Sequence, residues 1–311
     1  MELRQIRYFV GVSEAGSLLK ASARLHVAQP ALGQQMAALE HDVGARLFDR
    51  SSRGVTLTEA GKAFLEHAKV LLADVERARA AVRESLRVPS GDVAIGLPTT
   101  VALIATVPIL QACRDQLPQV RIKVIEAYSG FLREWLVSGR LDLALLFGDQ
   151  ADTVLAKQAL LDDRLAFVSS PRGATAPRKM ALAALSRWPL VLPGRDHGLR
   201  RIIDDACQPL GIALNVVAEI ESLPSVKRAV EAGLGSTILP AGAVADEVAA
   251  GRLRASTIDS PSMSRRVVCA SNVTRPATAA GNAVLHLISD VLRKMVKDGS
   301  WPARWVGDKA V

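Results

Sequence analysis

The hydrophobic and polar positions between residues 17 and 43 predict two short helices separated by a tight turn. Leu18, Ala21 and Leu25 recur at the spacing of one helical face. Ser17 comes directly before them, and its hydroxyl can accept a backbone N–H of the first turn, which makes it a good N-cap. The repeat breaks after Leu25 and resumes a few residues later. The segment is therefore predicted to form a pair of helices rather than one continuous helix.

The second helix of this pair is predicted to begin near Pro30, because proline fixes φ and lacks the N–H that an interior helical position donates. Its apolar face carries Leu32, Met36, Leu39 and Val43. The candidate DNA contacts on its start and opposite face are Gln29, Pro30, Gly33, Gln34 and Gln35. A glutamine amide can make two hydrogen bonds with an adenine edge, so this helix suits the major groove. The alternative is an ordinary amphipathic helix pair within a core.

A short β-hairpin is predicted to follow the helix pair. Leu47–Asp49 and Val55–Leu57 are typical of short strands, and the polar turn Ser51–Gly54 lies between them. Arg50 and Arg53 could reach phosphates or a narrow minor groove, where negative potential is concentrated. This hairpin is interpreted as the wing of a DNA-binding domain. The alternative is a solvated surface hairpin in which Arg50 forms no more than a salt bridge.

A long helical pattern extends from Thr58 to about Arg87. One apolar stripe carries Leu65, Ala68, Leu72, Val75, Val82 and Leu86, and a neighbouring stripe carries Phe64, Leu71 and Ala78. Two apolar stripes offer more surface than one small domain can cover, so this helix is predicted to pair with a second copy of the chain. Pro89 and Gly91 are predicted to end the helix and to form a hinge.

After Asp92 the pattern changes to short apolar runs that alternate with helices. The predicted strands are Val93–Leu97, Val120–Glu126, Leu141–Phe147, Arg164–Ser169, Leu190–Leu192, Val216–Ile220, Thr237–Leu239 and Arg266–Ala270. The predicted helices between them are Val101–Arg114, Leu132–Ser138, Leu199–Cys207, Ser225–Ala232 and Ala243–Ala250. Such alternation favours mostly parallel sheets with ligands at the carboxyl ends of the strands. The segment is long enough for two small α/β lobes with a cleft between them.

Polar side chains at the predicted strand ends are candidates for a ligand site in that cleft. Thr99 and Thr100 lie between a strand and a helix, where hydroxyls and free N–H groups can bind a carboxylate or phosphate. The equal alternative is that Thr99 only caps the helix. The candidates from later segments are Ser129, Phe147, Arg195, His197, Leu199 and Ser222. A cation such as Arg195 favours an anionic effector, unless it pairs with Asp196 or stays solvated.

Composition and charge narrow the possible classes of protein. The chain has 311 residues, 49% of them hydrophobic, which suffices for a substantial core, and no apolar run approaches a membrane span. The start MELRQIRYFV lacks the features of a signal peptide, which predicts a cytoplasmic location. Cys113, Cys207 and Cys269 show no C-x-x-C pairing, so buried thiols are favoured over a zinc site, a disulfide framework or a redox pair. The net charge of +8, concentrated at both ends, fits a phosphate-bearing partner.

Over essentially its full length the chain resembles the LysR-type transcriptional regulators. The resemblance rests on MELRQIRYFV, GSLLKASARLHVAQPALGQQMAALEHDVGARLFDR, RGVTLTEAG, DVAIGL, LDLALLF and EAGLGSTILP. Within the family, HVAQPALGQQ and the later EIES resemble the nitrogen assimilation control branch. Gly33 departs from the pattern, because family members usually have serine there. That departure leaves Gln29, Gln34 and Gln35 as the expected base readers.

The resemblance implies a winged helix-turn-helix, a linker helix that forms a homodimer, and a periplasmic-binding-protein-like α/β effector domain of two lobes. The expected bounds are 1–58 for the DNA-binding domain, 59–90 for the linker and hinge, 91–297 for the effector domain and 298–311 for a basic tail. Within the effector domain, lobe I is expected at about 91–163 plus 266–297 and lobe II at about 164–265. The homotetramer that bends double-stranded promoter DNA is implied by the resemblance alone.

The expected function is transcriptional regulation, as activator or repressor, modulated by a small anionic effector bound between the lobes. No cofactor, metal or membrane partner is expected. The alternatives are a solute-binding protein and an enzyme on an α/β scaffold. The helical front end argues against the first, and the absence of G-x-S-x-G, H-E-x-x-H and P-loop patterns argues against the second.

Overall fold

The computed structural model describes residues 1–51, 54–83, 89–275 and 277–307. The chain divides into two compact units, each with its own hydrophobic core. The first comprises Met1–Arg87 together with Ser138–Arg140, and the second comprises Val88–Val137 and Leu141–Val311. No helix in the described ranges is both long enough and apolar enough to cross a membrane.

The first unit contains the predicted helix pair and wing. Its elements are α1 (Leu3–Ala15), α2 (Leu18–Leu25), α3 (Gln29–Val43), β1 (Phe48–Ser51), β2 (Gly54–Leu57) and α4 (Glu59–Arg83). Ser17 caps α2 as predicted, because its hydroxyl accepts the backbone N–H of Lys20 at 3.5 Å. His26 ends α2 in the left-handed region, with φ of 54°, which produces the tight turn before α3. The helix-turn-helix prediction is confirmed.

One side of α4 packs against the core of the first unit, whereas the neighbouring side is more exposed to solvent. Ala68 is fully buried, and Leu72 is partly buried against the core of the first unit, which includes Phe9. Gly61 lets α4 approach closely, since a Cβ at this position would lie 2.0 Å from the carbonyl oxygen of Leu47. Leu71, on the neighbouring stripe, is 40% exposed. The predicted continuation of the helix through 84–88 lies outside the described residues.

The second unit contains an α/β fold. Its strands are β3 (Gly91–Leu97), β4 (Val120–Glu126), β5 (Leu143–Phe147), β6 (Leu155–Ser169), β7 (Lys179–Ala181), β8 (Leu190–Leu192), β9 (Val216–Glu219), β10 (Thr237–Pro240), β11 (Arg254–Asp259), β12 (Ser264–Asn272) and β13 (Ala303–Trp305). Its helices are α5 (Thr99–Gln116), α6 (Ser129–Val137), α7 (Gly198–Cys207), α8 (Leu223–Glu231), α9 (Ala245–Ala249) and α10 (Ala279–Lys297). This two-lobed α/β architecture confirms the predicted fold class.

The sheets are mixed, whereas the alternating pattern predicted mostly parallel ones. Among the described residues, nine strands form one sheet with the order β4-β3-β5-β12-β6-β11-β7, and β10 and β13 also pair with β6. Strands β3, β4 and β5 are parallel, while β12, β10, β11 and β13 all run antiparallel to β6. The chain leaves along β6 and comes back along β12 only after residues 170–263, so these two neighbouring strands run in opposite directions.

Strand β6 belongs to two hydrophobic cores. Leu160 and Leu161 pack in the core beneath α5 and α10, which we call lobe I. Phe167 and Val168, a few residues later, pack in the core beneath α7 and α8, which we call lobe II. The first part of β6 pairs with β12, and its last residues pair with β10 and β11. One continuous strand therefore passes from lobe I into lobe II.

The segment after α10 is part of the fold, and the expectation of a basic tail from residue 298 is wrong for its described part. Trp301 is fully buried, and its indole N–H donates to Asp163 Oδ1 at 3.0 Å. Ala303–Trp305 forms β13, which pairs antiparallel with β6. The buried Trp301 and the pairing of β13 hold this segment on the domain, although its scattered basic residues suggested a tail. Residues 308–311 lie outside the described ranges.

The three cysteines are buried free thiols, as the sequence interpretation favoured. Burial raises the pKa of Cys113 to about 11 and that of Cys269 to about 12. Burial also raises the pKa of Cys207. A thiol reacts as its thiolate, so these three cysteines are held in their unreactive form at neutral pH.

Candidate functional site

The start of α3 presents an exposed polar surface in the first unit. Gln29, Pro30 and Gln34 are exposed, and a Cβ added at Gly33 would meet no atom within 4 Å. The surface therefore has room for close approach by another molecule.

Gln35 differs from its neighbours on α3. It is half-buried, and its Oε1 is shielded from solvent without a hydrogen-bond donor in the described part of the chain. Because its oxygen is turned inward, the Gln35 amide can use only part of its hydrogen-bonding capacity to contact a DNA groove. The side chain of Arg50 and all of Arg53, the two predicted wing contacts, lie outside the described residues.

A cavity of about 750 Å³ opens between the two lobes of the second unit. It brings together seven of the eight predicted effector residues, namely Thr99, Thr100, Ser129, Phe147, His197, Leu199 and Ser222. The eighth, Arg195, is exposed and does not line the cavity. Its position directly before a helix suggested a role as the site's cation, but the backbone turns its side chain toward solvent.

The buried cation of the cavity is Arg265, which the sequence interpretation missed. Its guanidinium donates to Asp163 Oδ2 from Nε at 3.0 Å and from Nη2 at 2.8 Å, and to Thr100 Oγ1 at 2.7 Å. It also lies 3.9 Å from the centroid of the Phe147 ring, a cation–π contact. Asp163 is fully buried, so it holds and orients the guanidinium at the floor of the cavity.

Four helices begin at the lining of this cavity. The first residues of α5, α6, α7 and α8 are Thr99, Ser129, Gly198 and Leu223, and all of them line it. Each helix of this kind carries a partial positive charge at its N-terminus and free N–H groups in its first turn. The arrangement therefore places converging positive potential where the two lobes face each other.

His197 caps α7 and is held in its neutral form. Its Nδ1 accepts the backbone N–H of Leu199 at 3.1 Å, which leaves the proton on Nε2. Burial is the largest cause that lowers the pKa of His197; Arg265 and Arg201 lower it further, and Glu221 opposes them. A neutral imidazole with Nε2–H is a hydrogen-bond donor. No cluster of metal-ligating side chains occurs in the described ranges.

The mouth of the cavity is aromatic and acidic. Tyr128 from lobe I donates its hydroxyl to the carbonyl oxygen of Glu221 in lobe II at 3.4 Å, and its ring meets His197 edge-on at 5.5 Å. Tyr128 and Phe131 are exposed at 47% and 53%. The exposed carboxylates of the lining are Glu126, Glu134, Asp196 and Glu221. Tyr128 thus connects the lobes directly at the entrance.

Comparison with known protein families fits this arrangement of an exposed helix pair and a two-lobed ligand domain. Residues 3–62 match the family described as bacterial regulatory helix-turn-helix protein, lysR family, and residues 87–293 match the LysR substrate binding domain. The second match alone covers more than half of the chain. This chain belongs to the LysR family.

Similar proteins place this LysR regulator near one branch of the family. It is 36% identical over 265 residues to the nitrogen assimilation regulatory protein nac of Klebsiella aerogenes, and the alignment covers 85% of this chain and 86% of that protein. It is 33% identical over 294 residues to nac of Escherichia coli K12, covering 93% and 96%. The fold of a full-length OxyR variant from Pseudomonas aeruginosa is also similar, with a TM-score of 0.72, 21% identity and coverage of 100% and 99%.

The family assignment fixes the class of function. This LysR regulator is a DNA-binding transcriptional regulator with an effector-binding domain, and the relatives it matches are named as transcriptional regulators. The helix pair lies within the family's helix-turn-helix match, and the cavity between the lobes lies within its substrate-binding match. The predicted DNA-contact residues and the cavity residues therefore lie in two different family domains.

Proposed function

We propose that this LysR regulator is switched by a small molecule that carries a carboxylate or another anionic group and binds between the two lobes. The observation that supports this proposal is the meeting of a buried guanidinium, Arg265, with four helix N-termini at one cavity. Helix N-termini and oriented guanidinium groups both favour negative charge. Arg195 is not part of the proposed site, because it lies outside the lining of the cavity.

The anionic group is expected to bind at the start of α5. Val101 and Ala102 both donate their N–H groups to the Pro98 carbonyl, whereas no described group accepts from the N–H of Thr99 or Thr100. The Thr100 hydroxyl accepts a hydrogen bond from Arg265, which leaves its own proton available for the ligand. Two amides and one hydroxyl are thus pre-arranged for an oxyanion in lobe I.

Lobe II contributes a second hydroxyl that the sequence interpretation missed. Thr237 begins β10, lines the cavity and is fully buried, and its Oγ1 has no hydrogen-bond partner in the described structure. A buried hydroxyl without a partner is costly, so it favours a ligand that supplies one. A molecule that contacts Thr100 and Thr237 at once binds one arrangement of the lobes better than another, as a ligand-driven switch requires.

Replacing either threonine with valine tests the effector site, because valine keeps the shape and removes the hydroxyl. The probes are carboxylic acids of two to six carbons, with and without an amino group, screened by melting temperature and then titrated by calorimetry. We expect Thr100→Val and Thr237→Val each to reduce the binding free energy of the tightest-binding probe by about 1.5–3 kcal/mol. This is the usual contribution of a hydrogen bond to a charged group. Thr257→Val, on an exposed position of β11, is the matched control. Binding unchanged in both variants would contradict the proposed site.

On DNA we propose that Gln29 and Gln34 read bases and that Gln35 contributes less. The exposed amides of the first two can reach a base edge, whereas Gln35 is half-buried. Arg50 and Arg53 remain proposed phosphate or minor-groove contacts, and Pro30 and Gly33 are proposed to allow close approach. Assembly through the linker helix into homodimers and homotetramers on promoter DNA, and a cytoplasmic location, complete the proposal.

Alanine substitutions test the assignment of base readers. Gln29→Ala and Gln34→Ala are each expected to reduce discrimination between operator and random DNA by roughly 1–3 kcal/mol, as expected for the loss of a bidentate base contact. Gln35→Ala is expected to have the smaller effect. Fluorescence anisotropy on both DNAs at one fixed salt concentration measures the difference. Equal weakening on operator and random DNA would mean that these side chains do not read bases.

The domain division remains part of the proposal. We propose a DNA-binding domain at 1–58, a linker helix and hinge at 59–90, and an effector domain that begins at 91. We extend the end of the effector domain from 297 to at least 305, since Trp301 and β13 pack on β6. Separate expression of residues 91–311, followed by circular dichroism, checks that this part folds alone.

A further inference from the structure

We infer that the effector is a zwitterion of the amino-acid class, with its carboxylate at the floor of the cavity and a cationic nitrogen at the mouth. This inference rests on the proposed function and adds the second charge of the ligand. It follows from how charge is distributed with depth along the cavity between the lobes.

The floor of the cavity favours a negative group. Arg265 has only 5% of its surface exposed, and the unpartnered hydroxyl of Thr237 is fully buried beside the same space. The free N–H groups at the start of α5 lie next to Thr100, which Arg265 contacts. The buried hydroxyl without a partner is independent of the charges and favours a ligand with a polar atom at this position.

The mouth of the cavity favours a positive group. Its lining includes four exposed carboxylates from four different segments, Glu126, Glu134, Asp196 and Glu221. In the described ranges none of these four takes part in an ion pair, and Arg201 is the one exposed arginine of the lining. The excess of negative charge at the mouth would repel a purely anionic effector. A zwitterion would instead place its cationic group beside these carboxylates.

Glu221 is the carboxylate with the best-defined position. Its Oε1 accepts the backbone N–H of Gly194 at 2.9 Å, so the side chain is held while Oε2 stays available. Its own carbonyl accepts the hydroxyl of Tyr128 from the opposite lobe. Because Glu221 lies where the lobes meet, a cationic group bound to it would be shared between lobe II and the ring of Tyr128.

The exposed aromatic rings support a cation rather than a second anion. Tyr128 and Phe131 stand at the same mouth, about half exposed, and Phe131 stacks on Trp135 with centroids 6.0 Å apart. Aromatic faces attract ammonium and guanidinium groups and repel carboxylates. Carboxylates next to exposed rings therefore form a surface suited to an ammonium group.

Matched sets of three probes test the inference on the full-length protein. Each set contains an L-amino acid, the same skeleton without its amino group, and the same skeleton without its carboxylate. Examples are leucine with 4-methylpentanoate and isopentylamine, and phenylalanine with 3-phenylpropionate and phenethylamine. At equal concentration and ionic strength, we expect at least one amino acid to raise the melting temperature by roughly 3 °C or more, while both of its partners raise it less.

Variants assign the effect to the mouth of the cavity. Glu221→Gln keeps an acceptor for the Gly194 N–H but removes the charge. We expect Glu221→Gln to lower the affinity for the amino acid at least about tenfold. The affinity for the acid without the amino group should stay unchanged or rise. Asp205→Asn, an exposed carboxylate of α7 that does not line the cavity, is the matched control and should change neither affinity.

The outcomes separate this inference from the proposed function. If des-amino acids stabilise the wild type as well as the amino acids do, the zwitterion is wrong and the anionic effector stands. If amino acids bind Glu221→Gln and the double variant Glu126→Gln/Glu221→Gln as tightly as wild type, the cationic end has been misplaced and the inference fails. If no acid of either kind stabilises the protein, the proposed function itself is contradicted.

Discussion

Arg265→Met is expected to destabilise the effector domain by about 3–5 kcal/mol, the cost of leaving a buried carboxylate without its cation. Asp163 is fully buried and accepts from Arg265 and from the indole of Trp301. Without the guanidinium, that indole remains as its one side-chain donor in the described structure. Urea unfolding followed by tryptophan fluorescence measures the loss, because all four tryptophans of the chain lie in the second unit.

The adjacent Arg266 provides the matched control for this experiment. It pairs with Asp162 and Asp149 at a partly exposed position, so Arg266→Met is expected to cost about 1 kcal/mol or less. Adding Asp163→Asn to Arg265→Met should recover part of the stability, since the neutral amide carries no unpaired charge. Equal losses in Arg265→Met and Arg266→Met would contradict the special role of the buried pair.

Leu71→Glu is expected to convert the regulator from an assembled form into monomers without unfolding the DNA-binding unit. Leu71 is 40% exposed on α4, so the core of the first unit does not cover it fully. If α4 pairs with a second copy, a carboxylate at this position would be buried without a partner, which is costly. Light scattering at micromolar concentration measures the mass, and circular dichroism checks the helices.

Two other substitutions on α4 give this test its controls. Leu72→Glu should unfold the first unit as well, because Leu72 packs against the core that contains Phe9. Lys69→Glu, on an exposed side of the helix, should leave both mass and melting unchanged. A Leu71→Glu protein with wild-type mass would show that assembly does not depend on this stripe of α4.

The parts of the molecule that sequence predicted well are those whose causes lie close together in the chain. The Ser17 cap, the apolar repeat of α3 and the threonines at the start of α5 each depend on neighbours within one or two helical turns. The same locality explains one mistake. Arg195 was placed in the cleft because it precedes a helix, but whether its side chain faces the ligand depends on tertiary packing.

The central cation of the cavity was missed because its partners are distant in sequence. Arg265 lies 102 residues from Asp163 and 165 residues from Thr100, so no periodicity connects them. The pair Asp162–Asp163 also interrupts the apolar run of β6, and the predicted strand therefore began only at Arg164. A weak signal was present, since two adjacent acids and two adjacent arginines each stand within an otherwise strand-like segment.

The shared strand β6 determines how the lobes can move. It runs for 15 residues, from Leu155 to Ser169, and carries ladder hydrogen bonds in both lobes. Strand β6 contains no loop about which the lobes could rotate, so we expect the cleft to open and close through elastic bending and twisting of this continuous strand. The restoring force would then be built into the domain, and we expect departure of the ligand to return the lobes to their starting angle without any segment having to refold.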